Sequence, residues 1–394
     1  MNPVLNPFSP GAGTPPPELA GRDKFCETVR IAIERARNAM PAKSVIMVGL
    51  RGVGKTVLLD RMRDSAEAAG ICCLRIEARE NRSLPSLLAP QLRQALLKLS
   101  RKKQAEKLAL QALRGLAGFV KALKVKYHDI EMAVDIEPAP GIVDNGDLEH
   151  DLQDLVELAG RAAAPAGTAL AIFIDELQYV AEDDLAALIT ALHRAAQRKL
   201  PVIMVGAGLP QLRGRMGDAK SYAERLFDFP DIGPLPPDAA RIAIEKPLHD
   251  QNIKIAPAAT ALIIANTNGY PYFIQEWGKQ VWDTAESSPI KRADVEQATD
   301  LVLAALDESF FRVRFDRLTP IEKKYLRAMA QLGPGPFRSG EIAAAAGREV
   351  AALAPVRYQL ISKGMIWSPS HGETAFTVPL FDSFMRRIMP ASPG

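Results

Sequence analysis

The eight residues GLRGVGKT at 49–56 constrain the fold of this chain more than any other feature. They follow the strand-like run SVIMVGL and precede VLLDRMRDSAEAAG, whose apolar spacing is helical. A strand that passes through a glycine-rich turn into a helix points consecutive backbone N–H groups inward. The positive end of that helix adds to them, and the two together form a cradle for phosphate. Gly49, Arg51, Gly52, Val53, Gly54, Lys55, Thr56 and Val57 are therefore the candidate phosphate contacts. Lys55 is placed to reach the β- and γ-phosphates of a nucleotide, and Thr56 to offer its hydroxyl to magnesium, so the loop implies ATP and Mg²⁺ as ligands.

A cradle of this kind calls for an acidic partner strand, and TALAIFIDELQYV at 168–180 supplies one. Asp175, at the end of a buried apolar run, would hold magnesium through its water shell. Glu176 would polarise the water that attacks the γ-phosphate in line. Apolar periodicity predicts strands at 44–49, 71–77, 169–175 and 201–206, with helices at 55–69 and 183–198 between them. That alternation implies an α/β fold with a parallel sheet, whose phosphate site lies at the carboxyl ends of the strands.

With 394 residues, two or three domains are expected, and 47% hydrophobic with 24% charged residues suits globular cores. The Pro- and Gly-rich residues 1–17 read as an unstructured lead-in without signal-peptide character. The longest apolar run falls well short of the roughly 20 residues of a membrane helix, which predicts a cytoplasmic protein with no membrane partner. Cys26, Cys72 and Cys73 lack metal-ligand spacing and read as small buried hydrophobes. Charge is unevenly placed. Residues 91–127 carry ten Lys or Arg and one acid, Glu106, whereas 128–157 carry ten acids and no Lys or Arg. The basic stretch reads first as the solvated face of an amphipathic helix, given the spacing of Leu88, Leu92, Leu96 and Leu99; a phosphate-tracking face and pairing with the acidic block are the alternatives.

The segment PPELAGRDKF at 16–25 resembles the stretch that lines the adenine pocket in AAA+ ATPases. The resemblance makes Leu19, Ala20, Gly21 and Arg22 candidate base contacts. It also implies a polar sensor residue after the strand at 201–206, where this chain has Gly206, Ala207 and Gly208; Gln211 would substitute only if the loop folds back. SYAERLFDFPDIGPL at 221–235 resembles the last helix and fifth strand of such a core, which makes Arg225 the candidate arginine finger of a homo-oligomer; a surface pair with Glu224 or Asp228 is the plain alternative. Successive helical periods over 233–317 predict a helical lid. Its NGYPYFIQ run at 268–275 is similar to the Gly-x-Pro motif of signalling ATPases, which places Pro271 against adenine or, equally, at the first turn of a helix. Core 18–232, lid and tail together resemble the AAA+ group that includes archaeal origin-recognition and cell-division-control initiators, with a lid closer to the signalling ATPases.

Residues 318–394 predict a winged helix. Thr319, Pro320 and Glu322 form a capping box with Pro at its start, a helix–turn–helix outline follows, and IWSPSHGETAFTVP gives two strands about a turn. A recognition helix starting near Pro355 would bury Val356, Leu360 and Ile361. Arg357, Tyr358, Gln359 and Lys363 would then be free for double-stranded DNA, with His371 at the wing tip and Arg386 and Arg387 near the backbone. Three functions fit these features: an ATPase whose nucleotide state controls DNA engagement or assembly, a nucleotide-gated signalling switch with a protein-docking winged helix, and a scaffold that binds nucleotide without hydrolysis.

Overall fold

The computed structural model describes residues 1–11, 13–124, 126–130, 137–139 and 141–390, and these divide into two compact units. One comprises 22–49 and 55–232; the other comprises 1–21, 50–54 and 233–394.

The first unit opens with helix α1 (Asp23–Arg37), then β1 (Ser44–Val48), α2 (Lys55–Ala68) and β2 (Cys72–Glu77). A helical insertion follows: α3 (Leu84–Ser100), α4 (Glu106–Leu123) and α5 (Leu148–Ala163). β3 (Leu170–Asp175), α6 (Glu182–Gln197), β4 (Val202–Gly208), α7 (Leu212–Ala219), α8 (Ala223–Leu226) and β5 (Phe227–Asp228) complete it. The five strands are parallel in the order β2-β3-β4-β1-β5, with Ile46 opposite Gly206 and Ile76 opposite Ile174. β1, β3 and β4 are buried at every position, which is why they read as continuous apolar runs and not as alternating ones. This is the doubly wound α/β sheet of a P-loop NTPase. β4 runs on through Gly208, beyond the strand end expected at 206.

α3 starts at Ser83, whose hydroxyl accepts from Ser86 N, and Leu88, Leu92, Leu96 and Leu99 are all buried, so the amphipathic reading holds. On α4 the inner face is buried while Lys107, Arg114 and Lys121, and Lys124 at its C-cap, are exposed. Among the described residues no ion pair joins these four to an acid. The acids of the following block work elsewhere in the unit. Asp151, fully buried, accepts from Asn145 N and Gly146 N. Glu157 gathers Arg161, Arg194 and Arg198 around one buried carboxylate, with Arg194 at 3.1 Å and Arg161 at 2.5 Å. Glu131 and Asp135 of that block, and Val125 of the basic stretch, lie outside the described residues. The three cysteines are half-buried and unpaired, and burial pushes the Cys73 thiol up to about 12, which leaves it inert at neutral pH.

The second unit holds α9 (Pro237–Asp250), α10 (Pro257–Thr267), α11 (Pro271–Thr284) and α12 (Arg292–Leu306), then a π turn (Asp307–Phe311) and α13 (Arg312–Asp316). α14 (Pro320–Leu332), β6 (Phe337–Arg338), α15 (Ser339–Ala346), α16 (Val350–Ser362), β7 (Ile366–Trp367), β8 (Glu373–Phe376) and α17 (Phe381–Ile388) follow. Three helices interleaved with an antiparallel sheet in the order β6-β8-β7 make the winged-helix arrangement. The capping box forms as read: Thr319 N donates to Glu322 Oε2 at 2.7 Å, and Glu322 N donates to Thr319 Oγ1 at 3.4 Å. Residues 391–394 of the region assigned to this domain lie outside the described residues.

Two expectations need correction here. The N-terminal stretch is docked, not loose: Phe8 is buried, Met1 N donates to Ala285 O at 2.6 Å, and Trp282 Nε1 donates to Asn2 O at 2.9 Å. Phe8 sits over Gly278, where an added Cβ would lie 2.5 Å from its ring, so a glycine on α11 makes the seat. The helix expected to start near Pro355 starts at Val350; the proline lies inside α16, where the carbonyl it leaves unbonded, that of Ala351, belongs to an exposed residue that water can serve.

Candidate functional site

The glycine-rich loop leaves β1 at Gly49 and enters α2 at Lys55, so the N-terminus of α2 faces the carboxyl end of the sheet. Gly52 and Gly54 take φ of 82° and 88°, the left-handed region that a side chain resists and a tight turn needs. Lys55 Nζ donates to Gly49 O at 2.9 Å, folding the ammonium back across the mouth of the loop. Arg51, Gly52 and Val57 are half-buried, and Val53 is buried as the loop's apolar anchor.

β3 lies beside β4 and β2, and its last residue, Asp175, is 6% exposed. Asp175 accepts from the Thr56 hydroxyl and, through Oδ1, from Glu176 N at 2.8 Å. Burial pushes its carboxyl above the usual range, with the neighbouring Glu176 charge in support; Thr56 and Lys55 oppose the shift. Lys55, Thr56, Asp175 and Glu176 are thus gathered at the carboxyl ends of β1 and β3. A hydroxyl and a carboxylate in contact, beside an ammonium, suit magnesium, which keeps several waters and takes few protein ligands. The residues present therefore fit a magnesium nucleotide.

Glu176 has φ of 53°, left-handed for a non-glycine residue, and heads the short 3₁₀ turn Leu177–Tyr179. That turn carries a residue which the motif reading passed over. Gln178 donates through Nε2 to Glu176 Oε2, and its Oε1 accepts from Leu209 N at 3.1 Å, just beyond the end of β4. Gln211 makes no such contact; its Oε1 is buried without a hydrogen-bond partner. The small residues of β4 have a packing reason. A Cβ on Gly206 would lie 2.3 Å from Leu177 Cδ1, and one on Gly208 would lie 3.0 Å from Gln178 Oε1. The amide in IDELQ, two residues past the glutamate, was the available signal for Gln178.

The other candidates are dispersed. Arg225 is exposed on α8, and among the described residues it pairs with neither Glu224 nor Asp228, the latter being bound to Lys43 at 3.2 Å. Arg22 is buried at the head of α1, and burial holds its guanidinium below the ordinary value. In the second unit, Leu19 is half-buried, Ala20 is buried, and Gly21 takes φ of 69° against Ala239 of α9. Pro271 occupies the first turn of α11, and the next residue, Tyr272, donates its N–H to Gly52 O at 3.2 Å.

In the winged helix, Tyr358 is 71% exposed, and Gln359 and His371 are exposed too. The cations assigned to DNA are not free. Arg357 is held by Thr374 Oγ1 at 2.8 Å, Glu373 O at 2.9 Å and Ser368 Oγ at 3.0 Å, because its position on α16 faces the wing. Lys363 bonds Glu322 at 2.8 Å, Arg386 bonds Asp382 at 2.9 Å, and Arg387 bonds Asp307 at 2.5 Å.

Residues 18–205 match the family described as AAA ATPase domain, and residues 308–385 match one described as a domain of unknown function. Sheet order, phosphate loop and family match together make residues 18–205 an AAA ATPase domain with a P-loop. Among solved structures it is similar to a Walker-type ATPase of Pyrococcus abyssi, at 15% identity over 97% of this chain and 99% of that one, with a TM-score of 0.59. The RuvB Holliday junction branch migration motor of Thermotoga maritima follows at 15% identity, 99% of each chain and a TM-score of 0.43. The Orc1 protein of Aeropyrum pernix, solved in complex with DNA, is similar at 14% identity over 94% of each chain, with a TM-score of 0.45. No curated protein matches the chain. Among the described residues no helix is long and apolar enough to cross a membrane.

Proposed function

We propose that this chain is a magnesium-dependent ATPase whose nucleotide state governs what its winged helix engages. The contact between Thr56 and Asp175, with Lys55 and Glu176 beside it, carries the reading. Lys55 neutralises the β- and γ-phosphates, Thr56 and Asp175 hold hydrated magnesium, and Glu176 orients the attacking water. Leu19, Ala20, Gly21, Arg22 and Pro271 take the base, and Arg225 acts on the site of a neighbouring copy. Calorimetry and single-turnover hydrolysis with Mg-ATP test this directly. Wild type takes up and cleaves ATP, Lys55→Ala loses uptake, and Glu176→Gln binds but cleaves only at a small residual rate; equal, negligible rates for wild type and Glu176→Gln would leave only a nucleotide-binding scaffold.

For the winged helix, the engaged state of Arg357, Lys363, Arg386 and Arg387 favours a protein partner over a phosphate backbone. Tyr358 and Gln359 on α16 and His371 on the wing support DNA as the second reading, since these are the positions from which such a module reads a groove. Duplex titrations from 50 to 200 mM salt separate the two. A protein-docking helix gives no salt-dependent binding, and a DNA reader gives a steep salt slope that Tyr358→Ala and His371→Ala weaken.

A further inference from the structure

We propose that Gln178 is a positioning residue for hydrolysis, clamping Glu176 to the end of β4 in place of the polar side chain that β4 lacks. The proposal rests on the reading of Glu176 as the group that orients water. Leu209 N is a donor only, so the oxygen of the Gln178 amide must face it, and the NH₂ is left to face the carboxylate. One amide therefore fixes one oxygen of Glu176 and leaves the other for water. The turn that carries it is itself held. Tyr179 N donates to Glu176 O at 2.9 Å and Val180 N to Leu177 O at 3.1 Å. Arg215 bonds both Gln178 O and, at 2.8 Å, Val180 O.

The clamp and the bare strand end require one another. A Cβ on Gly208 would press to 3.0 Å from Gln178 Oε1 and 2.8 Å from Leu212 Cδ2, so a side chain there would crowd the amide out of its present place. Glycine at 208 is then the condition for the clamp, and Gln178 does through Glu176 what a polar residue on β4 would do directly.

The test measures kcat and Mg-ATP affinity for wild type, Gln178→Leu, Gln178→Glu, Glu176→Gln and the double variant Gln178→Leu/Glu176→Gln. Gln178→Glu keeps the acceptor for Leu209 N, removes the amide donor and sets a second carboxylate against Glu176, so it disturbs the positioning without removing the side chain's bulk and covers the case in which Gln178→Leu fails to fold. Losing the orientation of a group that aligns water costs on the order of 10- to 100-fold in rate. Both single Gln178 variants should lose that much kcat with affinity changed less than about twofold, and Gln178→Leu should cost nothing more once Glu176 is already Gln. An unchanged or raised kcat, a loss shared equally by affinity, or a full additional loss in the double variant would overturn the clamp. If Glu176→Gln itself hydrolyses like wild type, the reading of Glu176 fails instead.

Discussion

Gly206→Ala offers a sharp test of how the sheet sets the catalytic turn. The new Cβ would stand 2.3 Å from Leu177 Cδ1, against about 3.5–4.0 Å for a relaxed carbon pair, and 3.5 Å from Ile46 Cγ1. Leu177 and Ile46 are fully buried, and Gly206 is paired on both sides, to Ile46 and to Ile174, so neither backbone nor side chain has open space to retreat into. Overpacking of this kind costs about 1–3 kcal/mol. At roughly 2–4 °C per kcal/mol for a domain of this size, the midpoint should fall by ~2–12 °C. Leu177→Ala alone leaves a cavity worth ~2–5 kcal/mol, but the methyl at 206 falls into the space it vacates. A double-mutant cycle by chemical denaturation, with Mg-ATP present throughout, should therefore show a favourable coupling of ~1–3 kcal/mol. Because Leu177 lies between Glu176 and Gln178, Gly206→Ala should also slow hydrolysis more than it weakens binding. Simple additivity, or a midpoint for Gly206→Ala within about 1 °C of wild type, would refute the packing argument.

Asp175→Asn should abolish magnesium-dependent hydrolysis yet stabilise the nucleotide-free protein at neutral pH. The folded carboxyl titrates above its unfolded value, chiefly through burial, so its charge is an expense to the fold that grows as pH rises from the ordinary carboxylate range through the folded pKa. Thermal melts should show the gain at pH 7 and its disappearance in acid; a variant less stable than wild type at pH 7 would contradict the sign. If Arg225 acts on a neighbour, Arg225→Ala and Glu176→Gln should each be inactive alone and recover part of the rate when mixed, and no recovery on mixing would remove the finger. Arg357→Ala should cost about 1–3 kcal/mol in denaturant melts, through three lost bonds to the wing, and leave any duplex affinity unchanged.

Wherever structure follows from local pattern, the sequence is enough to read it. GLRGVGKT, IDELQ and the Thr319 capping box each carry their own geometry in consecutive residues, and all three form as read. Long-range fit is not legible in the same way. Nothing near Phe8 announces that Gly278 leaves a seat for its ring, so a Pro-rich opening looks loose although it is docked. Arg357 has the composition of a groove-facing cation and is turned to the wing by Thr374 and Ser368. Gly206 and Gly208 look like a missing sensor until Leu177 and Gln178 are seen to occupy the space above them.

The same distinction decides how the lid and winged helix can respond to nucleotide. Read separately, they are two modules able to move against one another; in the fold they share a core. The π turn presents Phe310 to Tyr272, stacked at 4.6 Å, and Phe311 to Phe384 of α17, stacked at 5.2 Å, while Arg387 grips Asp307 of the turn. Phe311, Phe381 and Phe384 are each at most 1% exposed, and at roughly 1.5–3 kcal/mol apiece their burial contributes on the order of 5–9 kcal/mol. Coupling between ligand sites is typically ~1–3 kcal/mol. A coupling of that size would not part the winged helix from the lid helices, so under the proposed function a nucleotide-driven displacement would carry both together. Tyr272 joins that core to the phosphate loop, its N–H meeting Gly52 O and its ring meeting Phe310.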